Sequence, residues 1–157
     1  MNGVFKVGII SDTHGLLRPE AVEALAGVDH ILHAGDVGNP EILERLREIA
    51  PLTAIRGNVD TIGSCAALPE TEAVELAGVL FYLVHSIGWL DINPFDAGVA
   101  VVVSGHSHKA EIGSKQGVLY VNPGSAGPRR FKLPVSIARL EIRGVSIIPR
   151  ILEMEVA

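Results

Sequence analysis

FKVGIISDTHG, residues 5–15, sets the pattern of the chain. FKVGII is a short, mostly apolar run that reads as a buried strand, and Asp12 and His14 stand where it ends. The same arrangement recurs twice. HILHAG (30–35) is followed by Asp36, and LTAIRG (52–57) by Asn58. Between these runs lie two helical patterns. Pro19 opens PEAVEALAGV (19–28), with Gly27 near its end. Asn39 is placed to cap PEILERLREIA (40–50), which starts on Pro40 and carries Ile42, Leu43, Leu46 and Ile49 on one face. Its other face, with Glu44, Arg45, Arg47 and Glu48, is the wet one. Two strand–helix–strand units in succession imply parallel strands joined by right-handed crossovers.

The second half has a different grammar. TEAVELAGVLFYLVH (71–85) reads as two strands turning near Ala77-Gly78. VAVVVSG (99–105) is another buried strand. EIGSKQGVLYVN (111–122) is a hairpin around Gly117, and SIARLEIRGVSIIPRIL (136–152) a hairpin around Arg143-Gly144. A βαβαβ half followed by a mostly β half predicts two packed mixed β-sheets flanked by helices, a four-layer α/β/β/α sandwich.

Length and composition agree with one domain over residues 1–157. The chain is 48% hydrophobic, enough for a sizeable core and incompatible with a disordered chain. Its apolar runs are too short to span a bilayer. MNGVFKVGIISD lacks the basic start, long apolar stretch and cleavage site of a signal peptide, so a cytoplasmic location is expected. The single cysteine, Cys65, excludes an intramolecular disulfide framework and reads as a bystander. A formal net charge of −5 argues against bulk attraction to nucleic acid or an anionic membrane. A small, locally charged substrate stays open. The high apolar content leaves room for a homo-oligomeric patch.

The residues that end the strands carry the chemistry. They are Asp12 and His14, Asp36, Asn58, His85, and the pair His106 and His108 in SGHSH. In open α/β sheets the carboxyl ends of the strands form the crevice where ligands bind. Two carboxylates, one amide oxygen and four imidazoles, with no thiolate, suit Mn²⁺, Ni²⁺, Fe²⁺, Co²⁺ or Zn²⁺ better than Ca²⁺ or Mg²⁺. Seven donors exceed what one catalytic ion takes while keeping an open position. They suit two ions about 3.5–4 Å apart, the arrangement that clamps a phosphoryl group.

The ordered set Asp12-Thr13-His14, Gly35-Asp36, Gly57-Asn58-Val59-Asp60, His85 and Gly105-His106-Ser107-His108 resembles the calcineurin-like metallophosphoesterases. In length the chain is similar to their small single-domain phosphodiesterase branch, and Asn122-Pro123-Gly124-Ser125 extends the likeness. The resemblance implies that Asp12, His14 and His108 hold one ion, that Asn58, His85 and His106 hold the other, and that Asp36 bridges them. It implies a small phosphoester substrate, two divalent ions with Mn²⁺ first, a metal-bound hydroxide nucleophile, and catalytic roles for Asp36, Asn58 and His85. The expected activity is phosphodiester hydrolysis. The alternatives are a phosphomonoesterase of the same family and a catalytically silent scaffold of the same fold.

Two departures matter. Many relatives carry a His directly after Gly-Asn, where it assists the leaving group; here that residue is Val59. Asp60 is then a candidate for a proton role, and more readily for orienting a ligand. Ser86 stands where Gly commonly follows the isolated His. Among the remaining polar residues, His33 reads as a satisfied core histidine. Arg129, Arg130 and Lys132 read as a solvated loop. Asn122 and Ser125 are equally suited to holding their own turn and to supporting the rim. Trp89 and Phe95, in SIGWLDINPFDAG (86–98), are candidates to stack on a substrate or to cover the core.

Overall fold

The computed structural model describes residues 3–156. Ten strands form two five-stranded mixed sheets packed face to face. The first sheet is built on β1 (Phe5–Ile10), β2 (His30–His33) and β3 (Leu52–Ala54), all parallel, with Val7 opposite His30 and Ile31 opposite Leu52. The helices α1 (Pro19–Ala24) and α2 (Pro40–Ile49) make the two crossovers, as the strand–helix–strand pattern predicts. Asn39 caps α2, its side chain accepting from the Glu41 N–H at 2.9 Å, and Ile42, Leu43 and Leu46 turn inward.

A four-residue helix, α3 (Gly63–Ala66), follows β3 and buries Cys65; its single turn is too short to leave a periodic signal. The second sheet comprises β4 (Thr71–Leu76), β5 (Val79–Val84), β6 (Val101–Val103), β7 (Glu111–Lys115) and β8 (Val118–Asn122), ordered β4-β5-β6-β8-β7. Its centre, β5-β6-β8, is parallel, and β4 and β7 close the edges antiparallel. The last hairpin, β9 (Val135–Arg143) and β10 (Ser146–Met154), returns to the first sheet, with β9 antiparallel to β1.

Period-two burial explains the layers. Val7 and Ile9 of β1 and Leu32 of β2 face Phe81 and Leu83 of β5 and Val101 and Val103 of β6 between the sheets. Each of these large side chains contributes about 1.5–3 kcal/mol when fully buried. Ile10, Ile31 and Ile137 face the other way, onto Leu25 at the end of α1 and Leu43 and Leu46 of α2. Tyr82, Val84 and Val102 of the second sheet's outer face lie under Leu90 and Ile92. That fourth layer is the segment 86–98, which holds one 3₁₀ turn, Ile87–Trp89. Among the described residues no helix is long and apolar enough to cross a membrane.

Because β1, β2 and β3 are parallel to one another, and β5 is parallel to β6, each set ends together. Hydrogen bonds continue past the strands and tie the following loops side by side. Asp12 N–H donates to Gly35 O (3.0 Å), His14 N–H to Asp36 O (2.9 Å) and Gly105 N–H to His85 O (2.8 Å).

Candidate active site

The predicted rim residues meet in one place. Asp12, His14 and His108 bring one donor atom each to within 4.8 Å of one another, and Asp36, His85 and His106 do the same. The two groups abut. Asp36 Oδ2 is 3.2 Å from His85 Nε2 and 3.4 Å from His14 Nε2. Asp12 Oδ1 is 3.5 Å from His108 Nε2, 3.7 Å from His14 Nε2 and 3.8 Å from His85 Nε2. The two histidines of GHSH therefore fall into different groups. Asn58, the remaining candidate, is exposed on the loop after β3 and lines a cleft together with His85.

The backbone is bent to reach this arrangement. Asp12 (φ 55°), His14 (47°), Asp36 (56°), His106 (70°) and His108 (62°) all lie in the left-handed region, which residues with a Cβ seldom adopt. Glycines in the neighbouring loops make room. A Cβ on Gly105 would run into Ser11 Oγ and Asp12 Oδ2, and one on Gly57 would strike Asp36.

The donor set is tested by its hydrogen bonds. His85 Nδ1–H donates to the Ala34 carbonyl at 2.7 Å, so the neutral ring presents a bare Nε2 lone pair to the Asp36 carboxylate. Two acceptors facing each other at that range need a proton or a cation between them. Asp12 Oδ1, His14 Nε2, His85 Nε2 and His108 Nδ1 are all buried without a hydrogen-bond partner. Buried polar atoms are seldom left so, and the convergence of Asp12 Oδ1, His14 Nε2 and His85 Nε2, within 3.8 Å of one another or of Asp36 Oδ2, fits a bound cation. The residues present thus fit divalent metal.

The charges respond accordingly. Burial works against the Asp36 carboxylate, yet the adjacent His85 imidazole, the Val59 N–H and the His14 imidazole hold it down at about 2. Burial also opposes protonation of His85, but Asp36, the Ala34 carbonyl and Asp12 together raise its pKa. His14 is raised, first by its Asp12 partner. His108 is lowered, first by burial. The Arg130 cation disfavours protonation of both His14 and His108, so the exposed loop that carries it stands near this side of the site. Arg129 closes that same loop, donating to Leu133 O at 3.3 Å.

Supporting residues complete the site. Ser11 O–H donates to Asp12 Oδ2 at 2.6 Å, and His106 N–H donates to the same oxygen at 3.0 Å. Ser11 escapes a sequence reading because its only mark is its place before Asp12. Asp60 is buried and accepts three backbone N–H groups, from Gly57 (2.9 Å), Gly38 (2.9 Å) and Val37 (3.1 Å). It locks the loop of Asp36 to that of Asn58, and so positions two candidate ligands through the chain. Val59 in turn gives its N–H to Asp36 Oδ1 at 3.0 Å.

His33 is a satisfied core histidine. Gly35 N–H donates to its Nδ1 at 3.1 Å, its Nε2 lies 3.1 Å from Thr13 Oγ1, and the Thr13 hydroxyl donates to Val37 O at 2.8 Å. Asn122 serves both of its expected purposes: its Oδ1 accepts from Gly124 N–H, and its Nδ2 donates to Gly105 O and Ser107 Oγ. Ser125 O–H donates to Asp12 O at 3.0 Å. Trp89 and Phe95 are 55% and 63% exposed, so neither covers the core. The Trp89 ring stands 5.7 Å from that of His106 and 6.1 Å from that of His85.

Residues 5–144 match the model of the calcineurin-like phosphoesterase superfamily domain. A probable metallophosphoesterase of Methanocaldococcus jannaschii is 33% identical over 155 residues, covering 90% of this chain and 78% of that one. Among solved structures, Vacuolar Protein Sorting 29 from Cryptosporidium parvum superposes with a TM-score of 0.83 at 21% identity, over 97% of this chain and 92% of that one. A structure described as a novel archaeal phosphodiesterase gives 0.77 at 24%, over 94% and 100%. Both likenesses show the same two-sheet fold. With the family model spanning nearly all the chain and a relative 33% identical over 90% of it, this protein belongs to the calcineurin-like phosphoesterase superfamily.

Proposed function

We propose that this protein hydrolyses phosphate esters, phosphodiesters foremost, using two divalent metal ions. The observation that carries the reading is the convergence of three orphaned buried atoms, Asp12 Oδ1, His14 Nε2 and His85 Nε2, beside the Asp36 carboxylate. Asp12, His14 and His108 would hold one ion, and Asn58, His85 and His106 the other. Asp36, within 3.4 Å of imidazoles from both groups, would bridge them. Ions bound there supply Lewis acidity to a phosphoryl group and lower the pKa of water.

The chain's own residues do the rest. The Ala34 carbonyl fixes the His85 tautomer, and Ser11 and the His106 N–H hold Asp12 in one orientation. Exposed Asn58 is placed to reach a phosphoryl oxygen. With Val59 where a proton-donating residue would sit, the leaving alcohol takes its proton from water. That favours diesters with good leaving groups over monoesters.

The scaffold reading has the support of a shared fold with a vacuolar sorting protein at 21% identity. A scaffold is free to lose its donors, and all seven are present here. Turnover of bis(4-nitrophenyl) phosphate with added Mn²⁺ or Ni²⁺ is the test. Asp36→Ala should abolish it. Unchanged turnover in that variant would defeat the two-ion reading.

A further inference from the structure

Segment 86–92 divides the rim in two. On one side is a cleft of about 470 Å³ whose wall includes Asn58, His85 and Trp89. On the other is a cleft of about 680 Å³ that begins at His106 and runs over β7 and β8, past Gly113 and Tyr120. Both volumes are in the range of small-molecule sites. The His85 and His106 rings stand only 5.2 Å apart, so the Asp36 group lies where the two clefts meet.

The charges inside the clefts are spoken for. In the first, Arg56 is paired with Glu70 at 2.8 Å, and Asp91 accepts from the Tyr82 hydroxyl at 3.0 Å. In the second, Lys115 and Glu111 both line the cleft, four residues apart on one strand, so its formal charges sum to zero. Neither cleft carries a net positive charge to hold a second phosphate.

We infer that the substrate is a diester whose single phosphate carries two uncharged organic arms, one seated in each cleft, with Trp89 forming the aromatic wall of the first. This rests on the phosphoesterase reading and narrows it: a monoester would leave one cleft idle, and a polyphosphate would find no net positive charge in either. Trp89, with half its surface exposed beside two candidate ligands, offers a flat face to an aromatic arm.

The test fills each cleft separately. Thr71 lines the first from β4, and Thr71→Phe would obstruct it. Gly113 lies on β7, where alternation puts it on the same face as Glu111 and Lys115, and a Cβ there meets nothing within 4 Å. Gly113→Phe would obstruct the second cleft without backbone strain.

Binding to the Mn²⁺-loaded, full-length protein is measured by calorimetry with diphenyl phosphate and with dimethyl phosphate. Each variant should weaken diphenyl phosphate by about tenfold or more while leaving dimethyl phosphate, whose arms are too short to reach the obstruction, within about twofold. Equal effects on both ligands, or on neither, would overturn the two-arm inference.

Kinetics add an independent check. Both variants should lower kcat/KM for bis(4-nitrophenyl) phosphate, and one of the two should spare 4-nitrophenyl phosphate, which identifies the leaving-group cleft. Parallel losses on both esters in both variants, with unchanged unfolding temperatures, would overturn the inference. A parent protein that turns over neither ester would defeat the hydrolase reading instead, and the binding comparison would still decide the question of the arms.

Discussion

Asp60 is the sharpest test of how the site is built. Its carboxylate is buried and takes three backbone N–H groups: Val37 and Gly57 on Oδ2, and Gly38 on Oδ1. Asp60→Ala leaves all three donors without a partner. Each costs about 1–3 kcal/mol when buried and unpaired. The Gly38 and Gly57 bonds are only part-buried, so water recovers some of this, and the total is roughly 3–5 kcal/mol. That is a large share of the roughly 5–15 kcal/mol that stabilises a domain.

Asp60→Asn separates geometry from charge. Its amide oxygen can replace Oδ2 and keep two bonds, but its NH₂ then opposes the Gly38 N–H. The cost should be about 2 kcal/mol, or roughly 4–8 °C in Tm for a chain of this length. Because these bonds fix the loops of Asp36 and Asn58, metal affinity should fall in the same order, parent above Asn above Ala. Denaturant unfolding of the metal-free protein and Mn²⁺ titration measure the two effects. If Asn and Ala cost the same, or either costs less than about 0.5 kcal/mol, the three-bond account of Asp60 is wrong.

Other consequences follow from single residues. Burial lowers the pKa of His33 from 6.5 to about 4, so the unfolded chain takes up its proton first as pH falls. The stability this neutral histidine confers is complete above about pH 6.5 and is lost as pH drops towards 4, by roughly 3 kcal/mol. His33→Gln should flatten that limb of the stability–pH curve; an unchanged slope would contradict the assignment. Gly105→Ala sets a methyl group against Ser11 and Asp12 and should cost the protein the His14–His108 ion before the other, readable as one Mn²⁺ per chain instead of two. Full occupancy would refute the close fit. Val59→His restores an acid beside the leaving group and should raise monoester turnover relative to diester turnover by about 10²-fold. An unchanged ratio would mean that the missing acid does not set the preference.

Most of the fold is legible in the chain because most buried strands are short apolar runs that stop at polar residues, several with a glycine beside them. Asn39-Pro40 declares the start of α2, and Ala77-Gly78, Gly117 and Gly144 mark the three hairpin turns, all with positive φ. What the chain does not announce depends on partners far away in sequence. Nothing in SIARLEIR says that β9 will lie antiparallel beside β1, more than a hundred residues earlier. The helix at Gly63–Ala66 and the 3₁₀ turn at Ile87–Trp89 are shorter than a helical period needs to show.

The site divides in the same way. The candidate ligands are visible because their residue types are scarce and fall at strand ends. The groups that hold them are ordinary residues made special by position. Ser11 bonds the Asp12 carboxylate, and Thr13 joins His33 to the Val37 carbonyl. The left-handed backbone at Asp12, His14, Asp36, His106 and His108 is equally silent in the sequence, since only glycine advertises it.

The central claim is that the two histidines of GHSH serve different ions. Crystals of the Mn²⁺-loaded protein, with data collected at the manganese edge, address it directly. The account predicts two anomalous peaks, one beside His106 with Asp36 and His85, the other beside His108 with Asp12 and His14. A single peak touching both His106 and His108 would contradict it.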